Sequence, residues 1–214
     1  MNTTLPDGAV PWLHDTGRVI AHWLYRPVFR VKIHGRDNVP RTGPVVLVAN
    51  HSSMIEPQLI FGMLPRRSVF LVKREMFRGI AGPGLRAIGQ IGIRRGEPDR
   101  TPLLTAVSVL RGGGLVAVFP EGTRGAGDVA AAHQGAAWLV RSSGAVVLPV
   151  ATRGTRRPDG VGRRFRPVVD VRIGAPFALP VERGRTGLTQ ATEEIRVRLA
   201  DLVHELDEQR KRRS

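Results

Sequence analysis

His51 and Glu56 stand five residues apart in the run Asn50-His51-Ser52-Ser53-Met54-Ile55-Glu56-Pro57. Together they are the residue types that make a general base and the group that orients it. A neutral imidazole can take a proton near pH 7, and a carboxylate on its other nitrogen would fix the tautomer. The two residues alone leave a second reading open, an ordinary exposed histidine near a helix start. Position favours the first. The run follows the apolar strand Val45-Val46-Leu47-Val48-Ala49, itself preceded by Thr42-Gly43-Pro44. Chain leaving the end of a buried strand is where α/β proteins usually keep their chemistry.

Three more polar clusters follow apolar runs in the same way. The strand from Leu115 to Phe119 leads into Pro120-Glu121-Gly122-Thr123-Arg124, where acid, hydroxyl and guanidinium converge as an anion or hydroxyl clamp. Gly89-Gln90-Ile91-Gly92-Ile93-Arg94-Arg95 sets guanidinium groups at the end of a short apolar run, suited to bidentate contact with a phosphate. Lys73-Arg74-Glu75 follows the run ending at Val72. Taken singly, each reads more readily as a surface salt bridge. Four polar clusters after four strands are not what scattered surface charge produces.

The elements that must position these groups alternate along the chain. Runs at 45–49, 68–72, 115–119 and 145–150 have strand length and are rich in Val and Leu without polar alternation, as strands buried on both faces should be. Helices are expected between them at about 56–64, 74–87, 101–111 and 131–143. The predicted class is α/β, a mainly parallel central sheet flanked by helices. A further strand is expected at Val168 to Ile173, and a closing helix at Thr189 to Leu206 with Ile195, Leu199, Leu202, Val203 and Leu206 in step. One domain is expected over 1–214: an N-terminal segment at 1–32, a core at 33–175, and a C-terminal helix with a basic tail at 176–214.

Charge narrows the partners. The 214 residues carry a formal net charge of +15, which implies a negatively charged surface or substrate. Arginines at 153, 156, 157, 163, 164 and 166 read as an exposed basic loop, and Arg210-Lys211-Arg212-Arg213 as a frayed, solvated tail. Aromatics are only 5% of residues, and no helix-turn-helix, zinc-finger or aromatic-interleaved basic pattern occurs, so no nucleic acid is expected. Cysteine is absent, which excludes thiolate chemistry and disulfides, and the six histidines show no metal spacing. No run approaches the ~20 apolar residues of a membrane span, and no signal-peptide pattern opens the chain.

Residues 11–30 form an amphipathic segment, with Trp12, Val19, Ile20, Trp23 and Leu24 at helical spacing and Arg18, His22, Arg26 and Arg30 at every fourth position. It reads either as an interfacial helix lying on an anionic membrane or as a helix packed on its own domain, ended or bent by Pro27.

His51 to Glu56, Gly89 to Arg95, Phe119 to Arg124 and Val146-Val147-Leu148-Pro149-Val150 resemble, in order, the four sequence blocks of the 1-acylglycerol-3-phosphate acyltransferase family. The likeness spans roughly residues 33 to 175, and Lys73 with Glu75 matches a further Lys-x-Glu element between the first two blocks. The resemblance implies a peripheral O-acyltransferase at the cytoplasmic face of the membrane, moving a fatty acyl group from acyl-CoA or acyl carrier protein to the hydroxyl of a lysophospholipid. Phosphatidate formation is the leading reaction; another acceptor of the same family, or a non-catalytic lipid-binding relative, is the alternative. It implies His51 as the base oriented by Glu56. It also implies Lys73 and Arg95 for the acceptor phosphate, and Glu121, Gly122, Thr123 and Arg124 in the acceptor site, with no metal or cofactor beyond the acyl donor. Two departures stand out: Glu56 replaces the usual aspartate, and Gly92 replaces a common phenylalanine, which implies open space in the acceptor site.

Overall fold

The computed structural model describes residues 4–94, 100–121, 126–156 and 165–213. Its centre is a seven-stranded sheet of β1 (Arg30–His34), β2 (Val45–Ala49), β3 (Val69–Lys73), β4 (Ile91–Ile93), β5 (Leu115–Val118), β6 (Val146–Arg153) and β7 (Val168–Ile173). The strand order is β1-β7-β6-β2-β5-β3-β4. Neighbours run parallel except β6 and β7, which pair antiparallel. The chain is therefore α/β with a mainly parallel sheet, as the sequence predicts.

The central strands lack polar alternation because both of their faces are covered. Val46 and Val48 of β2 pack with Val107, Leu110, Leu139, Val140 and Leu199 from α4 (Thr101–Arg111), α5 (Gly135–Ser143) and α6 (Gly184–Lys211). Val45, Leu47 and Ala49 face the opposite layer, where α2 (Glu56–Met63) contributes Leu59, Ile60, Phe61 and Met63 and α1 (Pro11–Leu24) contributes Ala21. Each Val, Leu, Ile, Phe or Met side chain removed from water here contributes about 1.5–3 kcal/mol. The in-step residues of α6, from Ile195 to Leu206, are all buried. Parallel pairing sends the ends of β2, β3, β4, β5 and β6 to one edge of the sheet.

Several boundaries differ from expectation for local reasons. The stretch expected as one helix at 74–87 divides into a 3-10 turn, Arg74–Phe77, and α3, Ala81–Ala87. Gly79, at φ 64 between them, takes a backbone conformation that no helix continues through. At the other end of the chain, α6 runs on to Lys211. There Arg210 reaches the nearly buried Asp170 of β7 and Lys211 bonds Glu208 at 2.8 Å, so this stretch is pinned helix and not frayed tail. Arg153 likewise belongs to β6, not to an exposed loop, and bonds Asp207 and Asp128, each at 2.8 Å. Arg157, Arg163 and Arg164 lie outside the described residues.

The N-terminal helix resolves its two readings in an unexpected way. It ends at Leu24, three residues before Pro27, and packs on α2 through His14, Gly17 and Ala21. Gly62 makes the approach possible, since a Cβ there would stand 2.4 Å from the His22 nitrogen and 2.6 Å from the Ala21 carbonyl carbon. Asp15 holds Arg67 through two bonds of 3.0 and 2.6 Å. Small and polar residues thus face the body of the protein. The apolar stripe faces outward, with Trp12 66% and Trp23 59% exposed beside Val19, Ile20 and Leu24. Among the described residues, no helix is long and apolar enough to cross a membrane.

Candidate active site

His51 leaves the end of β2 two residues after Ala49, and Glu56 opens α2, so the four residues Ser52 to Ile55 fold the carboxylate back toward the imidazole. His51 Nδ1 lies 3.1 Å from Glu56 Oε2. The His51 side chain is 12% exposed and that of Glu56 is fully buried. An ionised carboxylate only accepts, so this contact places the proton on Nδ1 and leaves Nε2 with a lone pair. That is the tautomer a general base needs.

The buried carboxylate is saturated with donors. Oε2 also accepts the backbone N–H of Ser52 at 2.8 Å and of Ser53 at 3.1 Å. Oε1 accepts the hydroxyls of Ser52 and Thr155, both at 2.6 Å. Burial acts to raise the Glu56 pKa, but the hydrogen bonds from His51, Ser52, Thr155 and Ser53 together outweigh it and hold the carboxyl below its ordinary value. Its place in the first turn of α2 adds the favourable helix dipole. Glu56 is thus kept charged where an unpaired acid would neutralise.

Glu121, at the end of β5, completes the cluster. Its Oε1 accepts the backbone N–H of His51 at 2.9 Å, and burial pushes its pKa up. The ring of Phe119, two residues earlier, lies against the imidazole with centroids 4.4 Å apart and planes tilted 31°. Asn50, fully buried, fastens the loop from below. It accepts the Thr152 N–H at 2.8 Å and donates to the carbonyls of Thr152 and Gly127, each at 3.1 Å. The ends of β2, β5 and β6 are thereby locked to one another around His51.

Of the sequence-predicted site residues, the structure brings His51, Glu56 and Glu121 together. Lys73 closes β3 at the same sheet edge, opposite Ile93 of β4, exposed and 3.2 Å from Glu75. Arg95, Gly122, Thr123 and Arg124 lie outside the described residues. Sequence reasoning missed Ser52, Ser53, Thr155, Asn50 and Phe119 as partners of the pair. Only Thr155 lies beyond the quoted motifs. The space implied at Gly92 is not open: two ring carbons of Phe77 stand 3.1 Å from where a Gly92 Cβ would be. An aromatic ring from the 3-10 turn fills the volume that a side chain on β4 would take.

Known proteins resemble this chain in sequence and in fold. A family model described as Acyltransferase matches residues 30–153. The chain is similar to a 1-acyl-sn-glycerol-3-phosphate acyltransferase of Bacillus subtilis, 26% identical over 83% of this chain and 90% of the relative. It is 32% identical to one of Chlamydomonas reinhardtii over 78% of this chain, and spans 52% of that relative's length. The crystal structure of the 1-acyl-sn-glycerophosphate (LPA) acyltransferase PlsC from Thermotoga maritima superposes with a TM-score of 0.66 at 25% identity, covering 92% of this chain and 79% of that one.

Proposed function

This chain belongs to the acyltransferase family, and on that footing we propose that it transfers a fatty acyl group from acyl-CoA or acyl carrier protein to the free hydroxyl of 1-acylglycerol-3-phosphate, giving phosphatidate. The observation that carries the reading is His51 Nδ1 facing the buried Glu56 carboxylate at 3.1 Å, with Nε2 left as the acceptor nitrogen. The hydroxyl of the acceptor gives its proton to Nε2 while its oxygen attacks the thioester carbonyl. The imidazolium formed is stabilised by Glu56. Collapse of the tetrahedral intermediate breaks the C–S bond, and the departing thiolate takes the proton from His51 and leaves as the thiol. An ester bond has replaced a thioester, no covalent enzyme intermediate is needed, and His51 is neutral again. Lys73 and Arg95 are the residues we assign to the acceptor phosphate, with Glu121, Gly122, Thr123 and Arg124 beside the glycerol.

The enzyme acts, in this reading, from the cytoplasmic face of the membrane as a peripheral protein. Supporting it are the outward apolar stripe of α1, the Arg26 guanidinium 4.6 Å above the exposed Trp23 ring, and the +15 charge that anionic lipid would attract.

The assignment is tested by acyl transfer to a panel of lysolipids in His51→Ala and Glu56→Gln proteins whose folding is checked by circular dichroism. The His51 variant is expected to lose about 100-fold or more of kcat, the scale of a positioned general base. Near-normal turnover by that variant would sink the mechanism.

A further inference from the structure

One ligand of the Glu56 carboxylate comes from outside the loop that carries it. Ser52 and Ser53, which supply the backbone N–H groups and one hydroxyl, are neighbours in the same turn and move with it. Thr155 is different. It lies 99 residues further along the chain, two residues past the end of β6, and its hydroxyl donates to Glu56 Oε1 at 2.6 Å. β6 is the direct sheet neighbour of β2, and Thr152, three residues before Thr155, is fastened to Asn50 through backbone and side chain. Thr155 therefore ties the carboxylate to the sheet frame.

We propose that Thr155 is a positioning residue for the His51–Glu56 pair, and that its hydroxyl lets a glutamate serve where the first block of the resembled family ends in aspartate. The proposal rests on the reading of His51 as general base. The added methylene of a glutamate gives its carboxylate one more rotatable bond and more ways to turn Oε2 away from the imidazole. Two hydroxyls on Oε1 remove that freedom. The Ser52 and Thr155 hydroxyl oxygens are 3.4 Å apart and grip Oε1 from two chain segments, which leaves Oε2 aimed at Nδ1. With Ser52 alone, the grip would be local to the loop and free to swing with it.

The experiment uses the full chain with Thr155→Val, which keeps shape and loses the hydroxyl, and Thr155→Ser, which keeps the hydroxyl. Glu56→Asp alone and combined with Thr155→Val completes the cycle. Thr155→Val is expected to lower kcat about 10-fold with the KM for lysophosphatidate changed by less than about twofold, the loss of one hydrogen bond to a charged group. Thr155→Ser should restore most of the rate. A shortened carboxylate cannot profit from Thr155, so the double variant should be no slower than Glu56→Asp. Nitrogen-15 histidine spectra give a readout that needs no turnover: wild type and Thr155→Ser should hold the His51 proton on Nδ1, and Thr155→Val should mix the tautomers. Equal losses in the Val and Ser variants, or an unmixed tautomer in Thr155→Val, would overturn the proposal. Retained activity in His51→Ala would instead overturn the base assignment, and the spectra would still decide the role of Thr155.

Discussion

Glu121 accepts the backbone N–H of His51 at 2.9 Å, so the acid of the second strand-end motif holds the main chain of the histidine in the first. The two residues are 70 positions apart in sequence and follow the ends of the adjacent parallel strands β2 and β5. A charged acceptor for a backbone donor is worth about 1.5–3 kcal/mol, enough to fix where the imidazole stands.

Removing that acceptor should be felt in the rate. Glu121→Ala is expected to lower kcat/KM for lysophosphatidate by about 10-fold or more, whereas Glu121→Gln, which retains a carbonyl oxygen for the His51 N–H, should lose less. Steady-state kinetics on both variants decide it. Equal losses would mean that the charge itself, not the bond to His51, is what the site needs.

Acid should loosen the N-terminal helix through His14. This side chain is fully buried between α1 and the sheet, with Nδ1 donating to the Ile88 carbonyl at 2.6 Å and Nε2 accepting the Ser68 N–H at 3.4 Å. Burial lowers its pKa from 6.5, so the folded state favours the neutral ring. A base whose folded pKa lies below its unfolded value contributes stability above the unfolded pKa, and that contribution is lost as pH falls through 6.5 toward the folded value. Melting temperatures measured from pH 7.5 to 5 should fall more steeply for wild type than for His14→Leu. At pH 7.5 the Leu variant should itself be destabilised by about 1–3 kcal/mol, since it strands the Ser68 N–H and leaves the Ile88 carbonyl with the Gln90 amide alone. Parallel pH profiles would remove His14 as the cause.

Vesicle binding should depend on the outward stripe of α1 and not on its inner face. Trp12→Ser and Trp23→Ser are each expected to weaken binding to anionic vesicles about 10-fold, the loss of one large apolar side chain from a lipid interface, with melting temperature nearly unchanged. Point substitutions are preferable to removing residues 1–30, because His14, Gly17 and Ala21 are part of the packed layer over α2. Binding should also weaken as salt rises. Unaltered sedimentation with vesicles in both variants would assign the stripe to another partner.

How far the sequence speaks for the site depends on the range of each interaction. The strands are legible because β2 and β5 are buried on both faces, and an unbroken run of Val, Leu and Ala has few other uses. His51 and Glu56 are legible because one short connection between β2 and α2 brings both. Thr155 carries no such sign, since its partner is 99 residues away and a Thr among arginines resembles any loop hydroxyl. The direction of α1 is equally hidden: helical spacing gives an apolar stripe, and only Gly62 against Ala21 and His22 reveals that the small and polar side faces inward. Gly92 misled for the same reason, because Phe77, which fills its space, belongs to a different element.

The reversal between β6 and β7 has a geometric result for the substrate. Arg153 pairs with Asp170, and Arg30 with Val168, so the start of β1 comes to the sheet edge where β2 releases His51. The exposed Trp23 and Leu24 at the end of α1, and Val28 in the connection that follows, lie in the chain that leads into the start of β1. A protein resting on lipid through them would hold His51 near the headgroup plane. An acceptor diffusing within the leaflet would then find the site by a two-dimensional search, without first leaving the bilayer for water.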